Sequence, residues 1–168
     1  MSLRVRPASE EEAAAVRAVL TATFPTAAEA DLVDRLRADG DMVIELIASD
    51  GDDIVGYIGF SRMAVVADGE RVPALGLAPV AVLPAYQQSG IARRLIESGL
   101  AAANGRGTAL IFVLGDPEIY GRFGFRPETA APFRCAYSGP HLMAQWLSSP
   151  RRPVEGSADY APAFAELG

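Results

Sequence analysis

Seven consecutive residues, Thr108-Ala109-Leu110-Ile111-Phe112-Val113-Leu114, carry almost no polarity and lie between Gly107 and Gly115. An apolar run of that length, bounded by breakers, reads as a strand covered on both faces. The stretch Ser89 to Asn104 just before it reads as a helix. Its Ile91, Leu95, Ile96, Gly99 and Leu100 share one apolar arc, with Arg93, Arg94, Glu97 and Asn104 opposite. Gly105-Arg106-Gly107 closes that helix, and an earlier strand, Val72 to Leu83, stops at Pro84. A strand, a helix of this length and a buried second strand form a right-handed crossover by default, so the middle of the chain is mixed α/β with a central parallel pair.

The remaining elements fit around that unit. Leu3 to Arg6 alternate apolar and charged residues before Pro7, as in a short strand with one wet face. Ser9 followed by Glu12 is a capping-box spacing that starts a helix. Val16, Val19, Leu20 and Phe24 form its stripe, and Pro25 ends it. A second helix is predicted over Ala27 to Ala38, with Leu32, Val33 and Leu36 inward and Gly40 after its end. Val43 to Ile47, Ile54 to Val66 and Val72 to Leu83 are separated by Asp50-Gly51 and Asp68-Gly69, which predicts an antiparallel meander of three strands. After Gly115 a short helix with Pro117 in its first turn runs into a turn and strand, and Phe133 to Tyr137 and Leu142 to Leu147 read as strands. Ser148 to Gly156 reads as a connection to the end of the chain.

The chain has 168 residues, half of them apolar, and is read as one domain over 1–168. All fifteen basic residues are Arg, against twenty-one acidic ones, for a net charge of −6. That balance argues against nucleic acid and anionic membranes as partners. One cysteine, Cys135, and one histidine, His141, make no recognisable metal set, so no metal is expected. They and Trp146 read as packing residues. The N-terminus lacks a signal-peptide segment and no apolar run reaches membrane-span length, so the expected location is the cytoplasm.

The most informative chemistry lies in Val80-Ala81-Val82-Leu83-Pro84-Ala85-Tyr86-Gln87-Gln88-Ser89-Gly90-Ile91-Ala92-Arg93-Arg94-Leu95. A strand stops at a proline, a tight loop carries small residues, and a helix begins at once. The unpaired amides at such a helix start, aided by the dipole, suit a phosphate or diphosphate. Small side chains at Ser89, Gly90 and Ala92 let an anion approach the backbone, and Gly90 can take a positive φ. The spacing fits neither the dinucleotide fingerprint nor the P-loop, and a chain without Lys excludes the latter.

With its neighbours this stretch resembles the acyl-CoA-binding segment of the GNAT superfamily of N-acetyltransferases. The family pattern is Gln or Arg, two residues, Gly, one residue, then Gly or Ala, here Gln87-Gln88-Ser89-Gly90-Ile91-Ala92. The segment Gly115-Asp116-Pro117-Glu118-Ile119-Tyr120-Gly121-Arg122-Phe123-Gly124-Phe125 is similar to a bacterial acetyltransferase subgroup, as is the tail Asp159-Tyr160-Ala161-Pro162-Ala163-Phe164. Ala92 in place of the commoner Gly, and Ile119 where the subgroup often has Tyr, are the departures.

The resemblance implies a GNAT-like α/β (α+β) fold: a mixed sheet of about six to seven strands with flanking helices. It also implies acetyl-CoA (acyl-CoA) as co-substrate. On this reading Gln87, Gln88, Ser89, Gly90, Ile91, Ala92 and Arg93 surround the CoA diphosphate, Gln88 to Arg93 donating main-chain amides. Val80, Ala81 and Val82 run beside the pantetheine arm, an amide near Val82 polarises the thioester, and the adjacent parallel strand splays to open a cleft. The partner is a small-molecule or peptide amine acceptor, with a homodimer left open.

The expected reaction is direct acetyl transfer to a primary amine. A Tyr hydroxyl, ordinarily with a pKa of about 10, is protonated at neutral pH and suited to a thiolate leaving group, which makes Tyr120 the candidate general acid, with ring packing as its competing role. Pro73 to Pro79 contains no carboxylate, so water-mediated deprotonation is the default. Glu45, inside an apolar strand, is a candidate to face the acceptor, although a solvent-facing Glu fits the same pattern. The rival functional reading is a non-catalytic CoA-binding sensor or interaction module.

Overall fold

The computed structural model describes residues 2–167. β1 (Leu3–Pro7) pairs antiparallel with β2 (Met42–Asp50), Leu3 opposite Asp50 and Pro7 opposite Leu46. Between them the predicted cap forms: the Glu12 carboxylate accepts from the Ser9 N–H at 2.9 Å and from the Arg6 guanidinium. One 3-10 turn, Glu10–Glu12, leads into α1 (Ala13–Thr23), and α2 (Ala28–Ala38) follows.

β2, β3 (Asp53–Ala67) and β4 (Glu70–Val82) form the meander. Gly51 takes φ +61°, and Asp68 and Gly69 take +48° and +84°. Two successive left-handed residues match the twist of a tight hairpin, which is why an Asp-Gly pair stands there. After α3 (Ile91–Gly105) comes β5 (Leu110–Leu114), parallel to β4 from Ala74 opposite Leu110 to Leu77 opposite Val113. Then follow α4 (Pro117–Tyr120), α5 (Pro127–Ala130), β6 (Phe133–Arg134), β7 (Leu142–Trp146), β8 (Gly156–Asp159) and a closing 3-10 segment, Pro162–Leu167. The strands hydrogen-bond in the order β1-β2-β3-β4-β5-β7, with β8 against β3 and β6. This is the expected mixed sheet with a central parallel pair.

The chain divides into two compact units. The first comprises Met1–Phe60, Ala78–Gly99 and Pro162–Gly168. Its core gathers Val16, Val19, Leu20, Ala30 and Val33 of the first two helices with Ile47, Tyr57 and Ala81 of the strands. The second, Ser61–Leu77 and Leu100–Ala161, packs Met63, Val65, Val72, Leu110, Phe112, Phe133, Leu142 and Ala158 together. Phe112 and Phe133 meet edge to face there at 5.3 Å. Among the described residues, no helix is long and apolar enough to cross a membrane.

The tail departs from its sequence reading. Eight strands form, the unforeseen one being β8, which begins at the last residue of the stretch read as a connection, Ser148 to Gly156. Gly-Ser-Ala-Asp carries no β-branched or aromatic signal. What admits it is the missing side chain at Gly156, where a Cβ would stand 2.5 Å from the Val66 carbonyl oxygen and 2.7 Å from the Phe133 ring. The strand read over Phe133 to Tyr137 contracts to two residues, and the chain after Phe125 makes a single bridge, Arg126 to Ala144, before entering α5.

α3 lies on β3 through glycines. A Cβ on Gly99 would fall 2.2 Å from Cε1 of Phe60, a ring with no exposed surface. Overpacking of this kind costs about 3 kcal/mol, while the gain in helix propensity from Gly to Ala is only about 1 kcal/mol. Gly99→Ala is therefore expected to lower stability by about 2 kcal/mol in urea unfolding. Gly105→Ala, into open space in the same helix, is expected to leave stability unchanged or raise it.

Candidate active site

The site begins where β4 ends. The ladder to β5 runs from Ala74 to Leu77, and β4 continues to Val82. Pro79 has no N–H for a ladder and follows a cis peptide bond from Ala78. Leu83 N–H donates to the Val55 carbonyl of β3 at 2.9 Å. Because backbone polar groups alternate sides along a strand, Val82 and Val80 turn theirs away from β3. The Val82 carbonyl accepts from the Gln87 side-chain amide at 3.1 Å and from the Thr23 hydroxyl of α1 at 3.4 Å. Ala81 and Val82 are buried and Val80 is half-buried.

From there to the helix the loop is fastened at every step. Pro84–Tyr86 makes a 3-10 turn, and the Tyr86 hydroxyl donates to Asp50 at 2.9 Å. The Ser89 hydroxyl donates to the Tyr86 carbonyl. Gln88 takes φ +63° and Gly90 +83°. Two left-handed residues so close together swing the chain into α3, and the second of them is a glycine, the residue with least strain there. The α3 ladder begins with Arg94 N–H donating to Gly90 O at 3.1 Å, so the amides of Ile91, Ala92 and Arg93 precede the first helical bond. Ile91 is buried and anchors the turn, while Gln88, Ser89, Gly90, Ala92 and Arg93 are exposed. A Cβ built on Gly90 meets nothing within 4 Å, so the space over the helix start is open. The Arg93 side chain pairs with Glu97 one turn on, at 2.9 Å. This geometry suits a diphosphate: exposed amides at the positive end of a fifteen-residue helix, no bulk in front of them, and a rigid approach.

Glu45 lies on β2 in the same unit, but not on the CoA-type loop. Its Oε1 accepts from Arg37 of α2, Nε at 2.8 Å and a terminal nitrogen at 2.6 Å, and from the Tyr57 hydroxyl of β3 at 2.7 Å. Tyr57 is fully buried and shares a cluster with Ala81. Burial, then the Glu45 charge and hydrogen bond, push the Tyr57 hydroxyl well above the ordinary pKa of tyrosine. Burial works against the charge on Arg37, but Glu45 outweighs it, so the guanidinium is held more firmly protonated. Arg37 and Tyr57, which the sequence did not single out, thus fix the Glu45 carboxylate in a neutralised triad. The only signal for them was Tyr57 among otherwise apolar strand residues.

Tyr120 belongs to the second unit. Asp116 caps α4 by accepting from the Glu118 N–H at 2.9 Å, with Pro117 in the first turn as read from sequence. The Tyr120 ring lies against Gly115, where a Cβ would stand 2.6 Å from Cε2, and meets Phe125 edge to face at 6.1 Å. Arg126 ties the following turn by donating to the Gly121 carbonyl at 2.8 Å, and the Gln145 amide donates to the Phe123 carbonyl. The Tyr120 hydroxyl has no hydrogen-bond partner among the described residues, and burial raises its pKa above 10. The hydroxyl is therefore held in its neutral form. The tail residue His141 is exposed, which corrects the reading of it as a packing residue. Among the described residues no cluster of His, Cys, Asp and Glu is arranged to hold a metal ion.

A mixed sheet with a parallel central pair, and an amide-lined helix start after a proline-terminated strand, define a CoA-dependent type of acyltransferase architecture. Residues 4–127 match the acetyltransferase (GNAT) domain, and the chain belongs to that family. It is 39% identical over 129 residues to the uncharacterized N-acetyltransferase YhbS of Escherichia coli, an alignment covering 76% of each chain. It is 35% identical over 120 residues to E. coli YjhQ, covering 70% of this chain and 66% of the relative. The crystal structure of E. coli YhbS in complex with CoA superposes with a TM-score of 0.90 at 32% identity, covering 100% of this chain and 94% of that one. A GNAT family acetyltransferase from Brucella melitensis in complex with acetyl-CoA gives 0.79 at 32% identity, covering 96% and 97%.

The triad makes a test of what Glu45 does for the fold. Glu45→Ala leaves the half-buried Arg37 charge and the buried Tyr57 hydroxyl without their acceptor, and a loss of about 2–3 kcal/mol is expected in urea unfolding. Tyr57→Phe removes a single donor from an oxygen still held by Arg37, and about 1 kcal/mol is expected.

Proposed function

We propose that this chain transfers an acetyl group from acetyl-CoA directly to a primary amine. The amides of Gln88 to Arg93 hold the CoA diphosphate, with Gln87 bracing the loop through the Val82 carbonyl. The outward-turned backbone at Val80 and Val82, beside Ala81, receives the pantetheine arm. The observation that carries this reading is Gly90: left-handed, exposed, and facing open space at the head of a long helix. Relatives of this chain have been crystallised with CoA and with acetyl-CoA, which supports the assignment of the co-substrate.

In the proposed reaction the neutral amine attacks the thioester carbon and a new C–N bond forms. An amide near Val82 stabilises the oxygen that gains charge, as the C–S bond breaks. Tyr120 O–H gives its proton to the departing thiolate. Pro73 to Pro79 holds no carboxylate and Glu45 is already bound by Arg37 and Tyr57, so in this scheme water takes the proton of the ammonium form. Glu45, bound by Arg37 and Tyr57, acts in this scheme by holding α2 and the meander in place.

Two substitutions separate binding from chemistry. Gly90→Val puts a branched side chain at a left-handed position in front of the amides, and acetyl-CoA affinity is expected to fall about 10-fold or more by calorimetry. Tyr120→Phe keeps the ring on Gly115 but removes the proton. It is expected to lower kcat about 10²-fold in a thiol-release assay while leaving acetyl-CoA affinity within about 2-fold. If every amine in a broad panel fails to release CoA thiol while acetyl-CoA still binds, the sensor reading replaces the enzymatic one.

A further inference from the structure

The backbone that carries Tyr120 is fastened at both ends. Gly115 N–H donates to the His141 carbonyl at 3.0 Å, which ties the end of β5 to the chain just before β7. At the far end Arg126 exchanges two backbone hydrogen bonds with Ala144 of β7, at 3.0 and 3.1 Å. Its guanidinium donates to the Gly121 and Phe125 carbonyls at 2.8 and 2.9 Å. Between these points the Tyr120 N–H donates to the Asp116 carbonyl at 3.0 Å, and the Tyr120 carbonyl accepts from the Phe125 N–H at 3.3 Å. With the main chain held in this way, the place of the Tyr120 hydroxyl is set by the two side-chain torsions and by what the ring rests on.

It rests on Gly115. A Cβ there would stand 2.6 Å from Cε2, 3.0 Å from Cδ2 and 3.6 Å from Cζ, the carbon that bears the hydroxyl. Phe125, with no exposed surface, meets the same ring edge to face at 6.1 Å. The backbone of Gly115 does not itself call for glycine. Gly90 and Gly124 take φ of +83° and +97°, whereas Gly115 lies outside the left-handed region. Gly121, in the same turn, is helical at φ −58° and ψ −28°, and a Cβ on it would meet only an Arg126 nitrogen at 3.5 Å, an ordinary contact. Of the three glycines between Gly115 and Phe125, Gly115 is therefore the one whose missing side chain makes room for the tyrosine.

We propose that Gly115 is a positioning residue for the reaction, its bare backbone setting the depth at which the Tyr120 hydroxyl lies. This rests on Tyr120 being the general acid. Non-bonded carbon atoms settle at about 3.5–4.0 Å, so a methyl group on Gly115 pushes the ring back by about 1 Å. A general acid works only within hydrogen-bond reach of the atom it protonates. A misplacement of about 1 Å costs up to about 10²-fold in rate. The effect falls on the proton-transfer step alone, because the amides assigned to the diphosphate belong to the Gln88–Arg93 loop and not to this turn.

With spermidine and an alanine-terminated peptide as acceptor probes, Gly115→Ala is expected to lower kcat about 10-fold or more and to leave acetyl-CoA affinity within about 2-fold. Gly121→Ala is expected to leave both unchanged. In the Tyr120→Phe background, where no proton remains to be placed, Gly115→Ala is expected to lower kcat no further, a result that general loosening of the fold does not reproduce. Crystal structures of the parent and of Gly115→Ala with CoA test the same point without an acceptor. The hydroxyl is expected within hydrogen-bond reach of the CoA sulfur in the parent and displaced by about 1 Å in the variant. A hydroxyl in the same place in both overturns the proposal, as does an unimpaired Gly115→Ala beside a slow Tyr120→Phe. A parent hydroxyl out of reach of the sulfur, or an unimpaired Tyr120→Phe, removes the acid assignment and the positioning role with it. If Gly115→Ala does not fold, Gly115→Ala combined with Tyr120→Ala decides: it is expected to match Tyr120→Ala in urea unfolding, since the ring that excludes the methyl group is gone, and a double variant that stays unfolded overturns the proposal.

Discussion

The close approach of α3 to β3 is the contact on which the rest depends. It is made by absences: Gly99 faces the buried Phe60 ring, and a Cβ on Gly56 would stand 3.1 Å from both Ile91 and Leu95. Large residues of one element fill the gaps left by glycines of the other, in a core packed as densely as a crystal. The consequence reaches the chemistry because Ile91 is both the first residue of the helix and one of the side chains seated over Gly56. Whatever fixes Ile91 fixes the direction in which the amides of Ala92 and Arg93 look.

The loop ahead of the helix is held by side chains and not by ladder bonds. Tyr86 reaches back to Asp50 at the β2–β3 turn, Gln87 returns to the Val82 carbonyl, and Ser89 closes on Tyr86. Each such bond is worth only about 1 kcal/mol net, and their value here lies in geometry. An anion site made of main-chain amides gains affinity when the amides do not have to be ordered on binding. The same logic accounts for Gln87, a residue of the motif whose side chain is spent on the protein itself.

Most of this was legible in the residue pattern. The two Asp-Gly hairpins, the capping box at Ser9 and the helix punctuated by Gly105-Arg106-Gly107 all carry local signals, and each element formed within a few residues of its expected ends. The loop from Val80 to Arg93 was legible because one chain segment supplies all of it. Elements defined by distant partners were not. β8 exists because Gly156 fits under Val66 and against Phe133, a fact about residues ninety and twenty-three positions away. The Arg37–Glu45–Tyr57 triad joins three elements, and Glu45 alone looked like an ordinary strand carboxylate.

The proposed proton route bears on which acceptors react. In the proposed mechanism Tyr120, kept protonated by burial, is the donor, and Glu45, already bound by Arg37 and Tyr57, is not the base. Under the proposed water-mediated route, only the fraction of acceptor already neutral in solution reacts. An ordinary α-amino group has a pKa of about 7.7–8.0 and a lysine side chain about 10.4, so at neutral pH the former offers roughly a few hundred-fold more neutral nucleophile. A lysine or polyamine acceptor would have to lose its proton through contacts made on binding, such as desolvation of the ammonium among apolar side chains, which lowers an amine pKa by up to several units. Amines of low intrinsic basicity need no such help, so the proposed water-mediated route favours them before any shape complementarity is counted.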